Sequence, residues 1–147
     1  MRFFVAVALV LTLAACAKGS KAASTQAAAS ASAAAEAENP ASASDGATVY
    51  LENCSSCHQT DGEGVSGAFP PLAGNPVVTG TPVTAIAIVK NGLEGKIVVH
   101  GNAYSGIMPA WKKQILDQQI AEVISYIRSA WHNNSGGVSL SQVQAVH

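Results

Sequence analysis

The spacing Cys-x-x-Cys-His at Cys54, Cys57 and His58 restricts the fold of this chain more than any other feature of its sequence. It lies in the stretch ENCSSCHQTDGEG, residues 52–64, and the sequence holds one further cysteine, Cys16. Two cysteines at this spacing occur in redox-active dithiols, in halves of metal sites and at attachment points for a prosthetic group. Each of these alternatives requires different residues in the rest of the chain.

The dithiol and the zinc site fit the rest of the sequence poorly. A thioredoxin-type dithiol follows a strand in a βαβ unit, and no strong strand precedes Cys54. A structural zinc site needs four ligands, usually in two pairs. The remaining histidines, His100, His132 and His147, have no paired spacing and are interpreted as surface residues. A structural disulfide is possible, but it leaves the adjacent His58 unexplained.

Attachment of a haem explains all three residues of the motif. Cys-x-x-Cys-His is the attachment signal for c-type haem. On a helical turn Cys54 and Cys57 point the same way, so both thiols can form thioethers with the two vinyl groups. His58 then lies where its imidazole can ligate the iron. We therefore predict one covalent haem c, with its iron bound by His58.

Met108 is the candidate for the second axial ligand of the iron. It is the one methionine after Met1 and lies in the stretch YSGIMPAW, where Pro109 stiffens the loop. A thioether ligand favours reduced iron and raises the reduction potential. The alternative interpretation of Met108 is a side chain that fills the core. His100 could replace it as a ligand, but a solvated histidine is expected at its place in a hairpin tip.

The N-terminal residues 1–15 are typical of a signal peptide. Arg2 precedes an apolar run from Phe3 to Leu13 that is too short to span a bilayer. The following LAAC resembles a bacterial lipoprotein signal, in which cleavage precedes Cys16 and the cysteine is lipidated. Ordinary cleavage after Ala17 is the alternative. Either case predicts export.

The alanine- and serine-rich residues 16–45 are predicted to form a disordered tether. This stretch contains no large apolar side chain, so it cannot bury enough surface to fold. The predicted organisation is therefore a signal peptide over 1–15, a lipidated cysteine and tether over 16–45, a folded domain over 46–133 and a C-terminal extension over 134–147.

The folded domain is predicted to be small, mostly helical and rich in loops. A first helix contains the stretch from Asp45 to His58, and residues 59–76 read as an ordered loop. A second helix has Thr81 as N-cap and ends at Asn91-Gly92. A hairpin pairs residues 97–99 with 103–105 around a turn at Gly101-Asn102. A last helix starts near Asp117, with apolar residues at helical spacing: Ile120, Val123, Ile124, Ile127 and Trp131.

With these motifs in place, the chain from Gly46 to about Asn133 resembles the class I c-type cytochromes. The resemblance runs through GATVYLENCSSCH, DGEG, FPPLAG, NGLEGKIV, GIMPAW and IAEVISYIRSAW, in that order. It implies an all-α fold around one haem, with a minor β-hairpin. It also implies a crossing of the first and last helices at Gly46, Tyr50 and Tyr126.

The resemblance assigns further roles and shows one departure. It implies that Pro71 supplies the carbonyl that bonds His58 and orients its imidazole. Leu116 stands where the family often has a serine cap, so Asp117 is expected to cap the last helix instead. Residues 134–147 look like an extension found on bacterial members, including domains joined to dehydrogenases; the alternative is a frayed tail.

The charge of the chain limits its possible partners. The net charge of −1 and the lack of a basic cluster in the sequence argue against nucleic-acid binding. We predict a monomeric one-electron carrier, not an enzyme, that is periplasmic and held at a membrane by a lipid on Cys16, with redox proteins as donor and acceptor. The alternative is a cytochrome subunit of a membrane-associated dehydrogenase or reductase. A peroxidase or gas-binding protein is less favoured, because Met108 would occupy the iron position that a peroxide or a gas needs.

Overall fold

The computed structural model describes residues 43–147, with side chains from Asp45 onward. The predicted signal peptide, Cys16 and residues 17–42 of the predicted tether lie outside the described residues. The elements are α1 (Ala43–Asn53), α2 (Ser55–His58), α3 (Pro76–Thr79), α4 (Pro82–Asn91), β1 (Ile97–Val99), β2 (Asn102–Tyr104), α5 (Asp117–Ser129) and α6 (Leu140–Gln144). The predicted all-α fold with a minor hairpin is confirmed. Within this range no helix is long and apolar enough to cross a membrane.

The crossing of α1 and α5 is the most extensive contact between elements. It depends on Gly46, because a Cβ there would lie 2.8 Å from the Cβ of Tyr126 and would overlap the carbonyl of Glu122. One turn further on, the fully buried Tyr50 packs its ring against Tyr126 and Trp131, with centroid distances of 5.5 and 5.1 Å. The crossing expected at Gly46, Tyr50 and Tyr126 is therefore present.

Helix α5 carries the centre of the core. Its side chains Ile120, Val123 and Ile124 are each no more than 2% exposed. Burial of an aliphatic side chain of this size contributes about 1.5–3 kcal/mol. The N-cap is Leu116, whose backbone N–H donates to Oε1 of Gln119 at 3.0 Å. Asp117 is thus the first helical residue, and the expectation that it caps the helix was wrong. The cap is Leu116, and the side chain of Gln119 accepts the hydrogen bond from its backbone N–H.

The predicted first helix is divided at Cys54 into α1 and α2, and the segments between α2 and α5 follow the prediction with two differences. α4 begins with Pro82 after the N-cap Thr81 and ends at Asn91, with Gly92 as its C-cap at a φ of 80°. The hairpin turn, however, is His100-Gly101, one residue earlier than predicted, because Val99 pairs with Asn102. A two-residue turn of this kind needs positive φ at both positions, and these two residues have φ of 49° and 79°. Helix α3 was not predicted; its N-cap Asn75 accepts from the N–H of Val77 at 2.9 Å.

The C-terminal residues fold onto the same core. Val138 and Val143 are both fully buried. The hydroxyl of Ser125 accepts from the N–H of Val138 at 2.8 Å, and Nζ of Lys90 donates to the carbonyl of Val143 at 3.0 Å. The alternative of a frayed tail is therefore wrong. At the other end, α1 begins at Ala43, three residues before Gly46, and alanine extends a helix at little cost.

Candidate functional site

The two cysteines lie at the bend between α1 and α2. The carbonyl of Cys54 accepts from the N–H of Cys57 at 3.2 Å and from the N–H of His58 at 3.0 Å, so the motif forms one tight helical turn. Both thiols are free, and both side chains line the same cavity as His58. Burial, with a smaller contribution from Cys57, raises the pKa of the Cys54 thiol to about 11.

His58 is held in one orientation by a backbone carbonyl. Its Nδ1 lies 3.0 Å from the carbonyl oxygen of Pro70. A carbonyl only accepts hydrogen bonds, so Nδ1 donates and Nε2 keeps its lone pair. Burial lowers the pKa of His58, and the bond to Pro70 only partly opposes this. The imidazole is therefore neutral at neutral pH, which is the form that binds a metal.

The carbonyl that bonds His58 belongs to Pro70, and the assignment of this role to Pro71 was wrong. The carbonyl of Pro71 instead accepts from Nδ2 of Asn75 at 2.7 Å. Pro70 lines the cavity, whereas Pro71 is buried behind it. Consecutive peptide carbonyls in an extended segment point in different directions, so only one of the two neighbours faces the histidine.

Met108 is anchored by its backbone. Its N–H donates to the carbonyl of Leu93 at 2.9 Å, and its carbonyl accepts from the N–H of Leu93 at 3.0 Å. The adjacent Gly92 permits this approach, because a Cβ there would lie 2.6 Å from the carbonyl oxygen of Met108. The side chain is half-buried and lines the cavity that His58 also lines.

One cavity of about 530 Å³ brings the predicted site residues together. Cys54, Cys57, His58 and Met108 all line it, and most of the remaining wall consists of apolar side chains. Val98 and Ile107, which also line it, are 64% and 66% exposed, so the cavity opens to solvent on this side. A volume of this size is typical of a site for a cofactor. Paired thiols, a neutral imidazole and a thioether fit a covalent haem in which iron takes nitrogen and sulfur ligands.

The sequence did not identify every residue that lines the cavity, and some of the histidines that it offered lie away from the cavity. Arg128 lines the cavity, although nothing in its helical pattern distinguished it from a surface arginine. His100 and His132 are exposed and outside the cavity lining, as expected. Among the residues that the structure describes, no group of three or more His, Cys, Asp or Glu side chains could hold a metal ion by itself.

Known proteins match the part of the chain that contains this cavity. The sequence model of the family described as Cytochrome c matches residues 43–131. Cytochrome c-552 of Thermus thermophilus is 40% identical over 92 residues, which cover 60% of this chain and 69% of that protein.

Two further relatives are subunits of larger proteins. The cytochrome c subunit of alcohol dehydrogenase (quinone) from Gluconobacter oxydans (strain 621H) is 45% identical over 102 residues, 67% of this chain. The cytochrome c subunit of gluconate 2-dehydrogenase from Pantoea cypripedii is 38% identical over 94 residues, 61% of this chain. This chain spans 21% of the length of each of these two subunits.

Proposed function

Because this chain belongs to the cytochrome c family and carries covalently bound haem c with its iron, we propose that it transfers single electrons between redox proteins. The observation that carries the proposal is one apolar cavity lined by the side chains of Cys54, Cys57, His58 and Met108. The haem iron supplies the one-electron redox chemistry. The protein holds the ligands, excludes water and sets the reduction potential.

We assign covalent attachment to Cys54 and Cys57. Both thiols are free, stand three residues apart on one helical turn and line the cavity. This arrangement gives the two sulfur atoms a common direction. Of the two serines between them, Ser55 donates its hydroxyl to the carbonyl of Leu51 at 2.8 Å, and Ser56 also lines the cavity.

We assign the protein ligands of the haem iron to His58 and Met108, which would bind it through Nε2 and the thioether sulfur. The bond from Nδ1 of His58 to Pro70 leaves Nε2 free and restricts rotation of the ring. The two hydrogen bonds between Met108 and Leu93 fix the backbone from which the thioether extends. With both residues bound to the iron, no ligand position would be open to a peroxide or a gas, and this favours a carrier over an enzyme.

The attachment is tested on the full chain made in a host with haem-attachment machinery. The intact mass should exceed that of the polypeptide by one haem, and a proteolytic peptide that contains Cys54 and Cys57 should carry that mass. A potentiometric titration should then follow a one-electron curve. Free thiols, or zinc on the same cysteines, would overturn the assignment.

We further propose that the protein is exported and tethered at a membrane by a lipid on Cys16, with residues 16–45 as the tether. The sequence LAAC at 13–16 supports this proposal. A Cys16→Ser variant should lose the lipid mass and leave the membrane fraction, or fail to be processed. Wild-type protein in the soluble periplasmic fraction, with its N-terminus at Lys18, would contradict the anchor.

The second candidate is a subunit of a membrane-associated dehydrogenase or reductase. Two of the relatives are cytochrome c subunits of dehydrogenases, and this favours the candidate. Size-exclusion chromatography of gently solubilised membranes separates the two. A carrier should elute at the size of a monomer, whereas a subunit should elute together with a dehydrogenase and its activity.

A further inference from the structure

Arg128 is a buried cation on the wall of the cavity. The residue is 6% exposed, and it lines the cavity together with Val78 and Ile127. A guanidinium stays charged in proteins, and a buried charge is costly unless it is paired and hydrogen-bonded. The environment of Arg128 must therefore satisfy both its hydrogen-bond donors and its charge.

Backbone carbonyls accept hydrogen bonds from part of the guanidinium group. Nε donates to the carbonyl of Gly136 at 2.6 Å, and Nη1 donates to the carbonyls of Gly80, at 2.8 Å, and Val78. These bonds use three of the five N–H groups that an arginine offers. They join α5 to the end of α3 and to the C-terminal segment, which explains the position of the side chain.

The remaining nitrogen, Nη2, has no hydrogen-bond partner among the described residues. In that part of the chain, every side-chain nitrogen or oxygen that is fully buried has a hydrogen-bond partner. Because Nη2 has none, it is not fully buried and must face open space. Because the residue is almost completely buried and lines the cavity, we infer that this open space is the cavity.

The charge of Arg128 also lacks a protein counter-ion in the described part of the chain. There the single ion pair joins Lys90 to Asp117, with Nζ 3.5 Å from the carboxylate. The cofactor can supply what is missing, because a haem carries two propionate carboxylates. A guanidinium and a carboxylate form strong, charge-assisted hydrogen bonds.

We propose that Arg128 is the counter-ion of one haem propionate, bonded through Nη2, and that its charge raises the reduction potential. An unpaired propionate stabilises ferric iron, because its negative charge attracts the additional positive charge of that state. Arg128 cancels this attraction, and inside a low-dielectric cavity the effect is larger than in water. The inference rests on the haem placement proposed above, which the mass measurement tests separately.

The test compares Arg128→Met with Lys90→Met in the haem-loaded full chain. Lys90 is the matched control: it is also a buried cation and also bonds the C-terminal segment, through Val143, but it does not line the cavity. Arg128→Met should lower the reduced-to-oxidised ratio at fixed applied potential about tenfold, equivalent to about 59 mV for one electron. Lys90→Met should leave that ratio unchanged.

A direct readout of the carboxylate completes the experiment. The propionate bending band in the resonance Raman spectrum should shift in Arg128→Met and stay in place in Lys90→Met. Equal shifts of potential in both variants, or an unchanged propionate band in Arg128→Met, would overturn the proposal. If Arg128→Met does not fold, Arg128→Lys keeps the charge but not the two-pronged geometry. Its propionate band should shift, and an unchanged band would overturn the proposal. Chain without bound haem would reject the haem placement itself.

Discussion

The Nδ1 atom of His58 and the carbonyl oxygen of Pro70 lie 3.0 Å apart, although the two residues are separated by 12 positions in the chain. Gly64 builds the loop that brings them together. Its N–H donates to the carbonyl of His58 at 3.0 Å, and its φ is 67°. A Cβ at this position would lie 2.6 Å from the carbonyl oxygen of Pro70. The loop therefore leaves no room for a side chain beside the carbonyl that orients His58.

Gly64→Ala should displace the Pro70 carbonyl and raise the reduction potential, because a weaker bond to Nδ1 makes His58 a poorer donor to ferric iron. It should also destabilise the protein by about 2–4 kcal/mol, from backbone strain and overpacking together. Gly67→Ala is the control, because Gly67 has a φ of 74° but nothing within 4 Å of its Cβ position. It should cost about 1–2 kcal/mol and leave the potential unchanged. Equal effects on potential would refute the role of the Pro70 carbonyl.

Gly46→Ala should force α1 and α5 apart, because the new Cβ would overlap the carbonyl of Glu122. We expect a loss of about 1–3 kcal/mol in the free energy of unfolding, measured by urea denaturation of the haem-loaded protein. Thr48→Ala, at an exposed position in the same helix, should change it by less than about 0.5 kcal/mol. A stabilised Gly46→Ala variant, as helix propensity alone would give, is the contrary result.

Val143→Ala tests whether the C-terminal segment belongs to the core. Val143 is fully buried and its carbonyl accepts from Lys90, so the loss of its methyl groups should cost about 1–3 kcal/mol. Ser141→Ala, exposed in the same helix, should be close to neutral. Similar denaturation midpoints for both variants would mean that the segment packs without stabilising the domain.

The sequence predicted what depends on local spacing. The motif of Cys54, Cys57 and His58 fits within one helical turn, so its geometry follows from the helix itself. Met108 could be identified because it is the one methionine downstream of the signal segment and stands in a proline-stiffened loop. The stripe of Ile120, Val123, Ile124 and Ile127 predicted the buried face of α5 for the same reason.

The parts that were missed depend on contacts between distant segments. Residues 70 and 71 are both proline, so the residue type does not show which of the two carbonyls faces His58. Arg128 reads as a polar residue of an amphipathic helix, but α3 and the C-terminal segment cover it. Helix α6 is only five residues long and carries a weak periodic signal, so its burial could not be read from the chain.

Tyr50 should make stability sensitive to alkaline pH. Its hydroxyl donates to the carbonyl of Gln59 at 2.5 Å, and burial raises the pKa of this tyrosine well above its ordinary value near 10. The unfolded chain therefore ionises first, so the contribution is complete below about pH 10 and is lost as the pH rises through the folded pKa. Tyr50→Phe should be less stable by about 1 kcal/mol at pH 8, and this difference should shrink above pH 10.

Helical circular dichroism during urea denaturation checks the expectation for Tyr50 at each pH. Tyr126→Phe removes a hydroxyl that makes no hydrogen bond among the described residues, so it should change stability little at pH 8. A difference between wild type and Tyr50→Phe that stays constant from pH 8 to above 10 would show that ionisation of Tyr50 is not coupled to folding.

The most direct test of iron ligation by Met108 is the absorption spectrum of the oxidised protein, compared between wild type and Met108→Ala. Wild type should show the weak band at the edge of the near infrared that reports sulfur bound to ferric iron. Met108→Ala should lose that band, have a lower reduction potential and bind carbon monoxide more tightly in the reduced state, because one axial position of the iron opens. A Met108→Ala protein that keeps both the band and the high potential would contradict ligation by Met108, since another side chain would then bind the iron.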